Sequence, residues 1–261
     1  MMLSVNRFMS NMLSMPDFLA VCEEIGAEGV GLQLPEALDS KSLAMLEQSN
    51  LVPTSVSGFL NCLDFSQGGA RLREGAYEAL AIARDLGVPL IVTLGAVRRD
   101  ATLTVWRRRL SDSLKLLTET AEAFGTQIAI EPLAVTDAAW SAVIGLGEVD
   151  EILSYFPAVT VVPDFWHIWA DQQLGRIFRA HGSKFPVVHV ADVDPENPRE
   201  RIAPGDGVAE LTRQLRILQD SGFAGWTELE VIPATNSTED PRMHLSRTFQ
   251  GLRSVTGKAQ R

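Results

Sequence analysis

Eight times along the chain a short apolar run is followed by a longer segment whose apolar residues recur at helical spacing. This recurrence restricts the fold more than any other property of the sequence. A helix after each strand carries the chain back along the sheet, so the next strand enters parallel to the last. The first unit is "LSVN" with "MPDFLAVCEEIGA", where Ser14 stands at the N-cap position and Gly26 near the end. It is followed by "GVGLQL" with "SKSLAMLEQSN", "VPTSVSGF" with "GGARLREGAYEALAIARDLG", and "PLIVTLGAV" with "TLTVWRRRLSDSLKLLTETAEAFG". The second half continues with "QIAIEPL" and "GEVDEILSYF", "VTVVPDF" and "IWADQQLGRIFRAH", "VVHVADV" and "GVAELTRQLRILQDSG", then "GWTELEV" and a helix around Met243 to Leu252.

No Pro/Gly/Ser-rich linker or low-complexity tract divides the series, so one domain over residues 1–261 is expected. Eight units at this length match an α/β fold of the (β/α)8 TIM barrel type, which takes ~250 residues. A doubly wound open sheet is the alternative. That fold usually carries a glycine-rich phosphate turn after its first strand, and "VNRFMSNM" contains no glycine.

The formal net charge of -10 argues against a phosphate backbone as main partner, because nucleic-acid binding needs clustered Lys and Arg. Cys22 and Cys62 stand far apart in neither a C-x-x-C pair nor a zinc-ribbon spacing, which disfavours a disulfide framework or structural zinc module. The N-terminal segment lacks the pattern of a signal peptide, and no window holds about 18 uninterrupted apolar residues. The expectation is a cytoplasmic protein with neither nucleic acid nor membrane as partner.

In a barrel of this kind the chemistry belongs at the C-terminal ends of the strands. Four successive late strands end there in polar residues: Glu131 in "IAIEPL", Asp164 in "VVPDF", His189 in "VVHVAD" and Glu230 in "TELEV". Side chains two apart on a strand share a side. Turning Glu131 inward therefore sends Ile128 and Ile130 outward and leaves Ala129 beneath it, and turning His189 inward sends Val188 and Val190 outward. Taken singly, a carboxylate at a strand end is most often a helix cap or an ion-pair partner. Three carboxylates and an imidazole at one mouth would repel if left alone, and the set suits a divalent cation with mixed oxygen and nitrogen ligands.

Glu228 shares the side of Glu230 by parity; Glu230, nearer the strand end, is the better ligand, and Glu228 then lies deeper and needs a hydrogen-bonding or cationic neighbour. Asp164 and His167 are offset so that Asp164 reaches a metal while His167 turns toward a bound molecule. Trp166 and Trp169 offer an apolar wall, against the commoner reading of rim packing. Arg199 and Arg201 precede a Gly-Asp-Gly turn and could hold a substrate hydroxyl or phosphate, and Arg98 and Arg99 could take a phosphate, against the commoner reading of a solvated pair. His181 and His244 fall on expected helical surfaces and are given no role in the site.

The segments "IEPL", "DFWHIWAD", "HVAD", "RIAPGDG" and "GFAGWTELEV" resemble the sugar phosphate isomerase/epimerase family, the xylose isomerase-like TIM barrels. The likeness covers the second half of the chain; the first half agrees in the order of its strands and helices. The resemblance implies a divalent metal ion, Mn, Co, Mg or Zn, on the residues matching Glu131, Asp164, His189 and Glu230. His167 and Arg201 match positions that contact substrate, and Glu131 and Glu230 would be the catalytic acid/base pair. It also implies a small carbohydrate substrate and a possible homo-oligomer.

The chemistry is coherent without the resemblance. A cation gripping adjacent carbonyl and hydroxyl oxygens acidifies the C–H between them and stabilises the enediolate, and a carboxylate then suffices as base. An inosose-type dehydratase on the same scaffold is the nearest alternative. An apurinic-site endonuclease-like barrel would need more metal ligands than four His and this acidic balance provide. A non-catalytic barrel would not be expected to keep all four ligands.

Overall fold

The computed structural model describes residues 1–10, 12–60, 70–95, 102–137, 141–233 and 237–259. Cys62, Arg98 and Arg99, singled out above, lie outside them. The strands are β1 (Met2–Asn6), β2 (Gly29–Gln33), β3 (Val52–Leu60), β4 (Leu90–Leu94), β5 (Ile128–Ile130), β6 (Thr160–Val161), β7 (Val187–Val190), β8 (Asp192–Val193), β9 (Arg201–Ile202) and β10 (Trp226–Leu229). The helices are α1 (Met15–Glu24), α2 (Leu34–Ala37), α3 (Ser40–Glu47), α4 (Ala70–Leu86), α5 (Leu103–Phe124), α6 (Gly147–Tyr155), α7 (Phe165–Ile168), α8 (Leu174–His181), α9 (Leu211–Asp220) and α10 (Pro241–Ala259).

Eight strands form one sheet in the order β6-β5-β4-β3-β2-β1-β10-β7, with parallel neighbours throughout. The remaining seam, between β6 and β7, closes on a single parallel bridge between Asp164 and His189, where His189 N donates to Pro163 O at 2.9 Å. This is the (β/α)8 TIM barrel that the recurrence predicts. β8 and β9 stand apart from it as a small antiparallel hairpin after β7.

Strand alternation sorts the core into two layers. Ile91, Ala129, Val162 and Val187 pack together with Trp226 inside the ring of strands. Ile128, Ile130, Val161, Val188, Val190, Leu229 and Val231 belong to the outer layer with helix residues such as Phe18, Leu80, Leu114, Phe178 and Phe249. Each such Leu or Phe, fully removed from water, stabilises the fold by about 1.5–3 kcal/mol. The layering is the parity expected for Glu131 and His189.

Two local expectations are corrected. The continuous helix expected over "IWADQQLGRIFRAH" is instead two pieces, because Asp164 caps α7 by accepting from Trp166 N at 2.9 Å, and Asp171 then takes the amides of Gln173 at 2.8 Å and Leu146 at 2.9 Å. The side-chain acceptors satisfy amides that a continuous helix would have bonded to its own carbonyls. His244 is buried rather than on a helix surface, with Nε2 3.1 Å from Val231 O and Nδ1 3.0 Å from Glu239. Among the described residues no helix is long and apolar enough to cross a membrane.

Candidate metal centre

β5 and β6 end one and three residues before Glu131 and Asp164, β10 ends one before Glu230, and His189 lies within β7. Each of the four side chains offers one atom to a group in which all lie within 4.8 Å of one another. His189 Nδ1 sits 2.8 Å from Glu131 Oε1 and 3.4 Å from Glu230 Oε2. Thr93 Oγ1 donates to Glu131 Oε2 at 3.3 Å.

Arg201, carried in by β9, is partly buried among these carboxylates, its side chain 10% exposed. Its Nη1 donates to Glu230 Oε2 at 2.7 Å and to Glu230 O at 3.0 Å, and Nη2 lies 2.7 Å from Asp164 Oδ2. The guanidinium stacks 4.7 Å from the Trp166 ring, whose Nε1 donates to Glu200 O at 3.1 Å. Trp166 thus braces Arg201. Arg199, by contrast, is exposed. His167 Nδ1 lies 3.2 Å from Ala134 N and 3.5 Å from Asp137 Oδ2, and Nε2 lies 3.4 Å from Arg201 Nη2 and 3.6 Å from Asp164 Oδ2.

Burial acts on every one of these groups, and their neighbours decide the outcome. Burial and the positive Arg201 together hold His167 below the ordinary imidazole range, despite Asp164. Burial also disfavours charge on His189, but the carboxylates of Glu230 and Glu131 override it and raise its pKa well above the usual value. Glu131 and Asp164 stay below the usual carboxylate range because His189 and Arg201 respectively outweigh burial. Glu230 is pushed up to about 7, burial and the charges of Glu131 and Asp164 prevailing over His189 and Arg201.

These residues fit a divalent cation on three grounds. The donor set is three oxygens and one imidazole nitrogen. Three carboxylates against one guanidinium leave two negative charges uncompensated once His189 is neutral. Asp164 Oδ2 is buried with no aligned hydrogen-bond donor, even though Arg201 lies close.

Beside the four residues opens a cavity of about 270 Å³, lined among others by Phe8, Gln33, Ser57, Thr93, His167 and Arg201 as well as Glu131 and Glu230. Its size, just under the ~300–1,000 Å³ typical of drug-sized ligands, suits a small molecule. Ser57 Oγ is buried there without a partner. A larger recess of about 470 Å³ lies between α5 and α6 on the outer wall, away from the strand ends, and is a groove between surface helices.

A family model described as xylose isomerase-like TIM barrel matches residues 15–248. The chain belongs to this family. Fructoselysine 3-epimerase of Shigella flexneri is 23% identical over 203 residues, covering 74% of this chain and 71% of that protein. Inosose isomerase of Halalkalibacterium halodurans is 22% identical over 231 residues, covering 82% and 81%. Among solved structures, the IOLI protein with a bound zinc atom superposes with a TM-score of 0.83 at 19% identity, over 99% of each chain.

Within this xylose isomerase-like barrel, the structure brings together Glu131, Asp164, His189 and Glu230, and places His167 and Arg201 on the wall of the adjoining cavity. Trp166 touches Arg201 and the His167 ring and is not among the residues lining the cavity. Sequence reasoning missed Phe8, Gln33, Ser57 and Thr93. The last three are ordinary polar residues on strands, which alternate with apolar ones in any barrel, so only their shared mouth distinguishes them. Phe8 carried the one usable signal, an aromatic just past the end of the first strand.

Glu228 finds its neighbours in the barrel floor. It accepts from Asn6 Nδ2 at 2.9 Å, Thr54 Oγ1 at 2.5 Å, Ser4 Oγ at 3.1 Å and Ser55 Oγ at 3.3 Å. Burial would raise its pKa; contacts with His189, Thr54 and Asn6 outweigh that and keep it below the usual range.

Proposed function

We propose that the chain is a metal-dependent isomerase or epimerase of a small sugar, free or phosphorylated. The observation that carries the reading is the meeting of Glu131, Asp164, His189 and Glu230 within 4.8 Å at the mouth of the barrel, beside a small cavity of mixed polar and apolar lining. Relatives named as a 3-epimerase and an inosose isomerase support the reaction class, and the zinc of the IOLI protein supports the choice of a divalent ion.

The four residues would hold the ion. When bound, it supplies Lewis-acid polarisation of the substrate's carbonyl and hydroxyl oxygens. Glu131 and Glu230 both reach the cavity, from strands three places apart around the ring of eight. Separated in this way, one carboxylate can take a proton from the carbon beside the carbonyl and the other can return it. Return to the neighbouring carbon isomerises; return to the opposite face of the same carbon epimerises. His167 offers its imidazole and Arg201 its guanidinium to substrate oxygens, and Trp166 keeps the guanidinium plane fixed.

Incubation with a panel of ketoses, aldoses and inososes in deuterium oxide with Mn tests the reading. One of these compounds should gain a solvent deuteron, and Glu131→Gln or Glu230→Gln should slow that exchange by about 10²–10⁴-fold, the usual contribution of a positioned acid or base. A product lighter by one water would instead identify a dehydratase. No deuterium in any compound with the metal-loaded protein would refute proton transfer as its chemistry.

A further inference from the structure

Glu228 is a buried carboxylate beside His189 that the proposed reaction does not use, and the barrel floor is built around it. Asn6 and Ser4, two apart on β1, turn to it from one side. From the other side come Thr54 and Ser55, adjacent in sequence, which regular alternation would point in opposite directions. They reach it together because β3 is irregular there: Val30 pairs with Pro53 but Gly31 pairs with Ser55, so Thr54 is an extra residue. Such a bulge locally re-aims side chains. Gly31 completes the space, since a Cβ there would stand 2.3 Å from Glu228 Oε1 and 2.6 Å from Ser55 Oγ. Two strands and a glycine are thus adapted to one carboxylate that serves only as an acceptor.

The other face of that carboxylate looks at His189. Glu228 Oε1 lies 3.4 Å from His189 Nε2, a ring nitrogen that is buried and has no aligned hydrogen bond. The opposite nitrogen, Nδ1, is the one that faces Glu131 and Glu230. An imidazole ligates through an unprotonated nitrogen, so ligation through Nδ1 requires the ring proton on Nε2, pointing at Glu228.

We infer that Glu228 is a positioning residue for the metal centre: fixed by Ser4, Asn6, Thr54 and Ser55, it accepts the Nε2 proton of His189 and so turns the Nδ1 lone pair toward the ion. The inference rests on the metal reading above. It extends from the floor to the cavity wall, because Asn6 Oδ1 in turn accepts from Gln33 Nε2 at 3.2 Å, and Gln33 lines the cavity.

The test is cobalt(II) titration of the metal-stripped, full-length protein, followed by visible absorption, for wild type, Glu228→Gln and Thr54→Val. Loss of a partner to a metal-bound histidine typically weakens metal affinity by about 10–100-fold. Glu228→Gln should show that loss together with a changed cobalt spectrum, and Thr54→Val, which keeps the carboxylate but frees one side of it, a smaller change of the same kind. Wild-type affinity and spectrum in both variants overturn the inference even if their metal-free melting temperatures drop, since that pattern describes a residue serving the fold alone. If Glu228→Gln does not fold, Thr54→Val decides on the same readout. A wild type that takes up no cobalt refutes the metal reading itself, and is told apart from failure of the positioning role because the variants play no part in it.

Discussion

His189 carries opposing demands on one ring. In the metal-free protein the carboxylates of Glu230 and Glu131 hold its proton well above the ordinary range, yet a ligating nitrogen must be bare. Uptake of the ion therefore expels a proton, and affinity should rise with pH through the neutral range. Calorimetric titration with Mn in buffers of differing ionisation enthalpy would read the release directly; a buffer-independent heat would contradict it. The same shifts set the pH dependence of stability. His189 and Glu230 both have folded-state pKa values raised above the unfolded ones, so their contribution is full at low pH and is lost as pH rises through the folded values. His167 has the opposite sign, but its gain is complete by about pH 6.5, its unfolded value. Above that point the raised groups dominate, and the denaturation midpoint of the metal-free protein should fall as pH rises beyond about 6.5. Saturation with Mn should abolish the fall.

At the scale of elements, what could be read in the sequence was what breaks a rule. Glu131, Asp164, His189 and Glu230 each interrupt an apolar run near a strand's C-terminal end, and at Glu131 and His189 parity alone forecast which neighbours would face the helices. Glu228 was legible as a buried charge, but its cradle was not: Ser4, Asn6, Thr54 and Ser55 are unremarkable small polar residues, at least 173 positions away, joined to it only by closure of the barrel and by a bulge that no spacing announces. The loop after β7 was likewise opaque. "VVHVADV" reads as one strand, but Asp192 leaves the barrel to accept the amides of Val193, Gly205 and Ala209, each at 2.9 Å, and so pins the hairpin that carries Arg201 inward. Gly207 packs against the same carboxylate, at a spot where a Cβ would lie 2.5 Å from Asp192 Oδ1. Asp192→Ala should cost about 1–3 kcal/mol in urea denaturation, the range for buried groups left without partners. It should also speed tryptic cleavage after Arg201, which is shielded in the wild type. Unchanged proteolysis would show that the hairpin is held by something other than Asp192.

For the whole molecule, the seam between β6 and β7 is where the ring is least secured. β6 has two residues, and the closing bridge joins Asp164 to His189, two of the four residues of the candidate metal centre. The other two, Glu131 and Glu230, follow β5 and β10, the strands that flank the seam on either side. An ion held by all four would tie together the four strands nearest the opening, so metal binding and barrel closure would be one event. A ligand at one hundred times its dissociation constant stabilises by about 2.7 kcal/mol. At roughly 2–4 °C per kcal/mol for a domain of this size, Mn should raise the melting temperature by about 5–11 °C, and a chelator should reverse it. The location of the gain separates this account from general stabilisation. Amides at the seam and beside it, such as His189 N on Pro163 O and Val162 N on Ile130 O of the neighbouring β5, should exchange with deuterium more slowly once Mn is added. Peptides spanning β2 and β3, on the far side of the ring, should change little under conditions where local opening dominates exchange. Equal protection of both regions would mean that the barrel opens as a whole and that its closure does not depend on the ion.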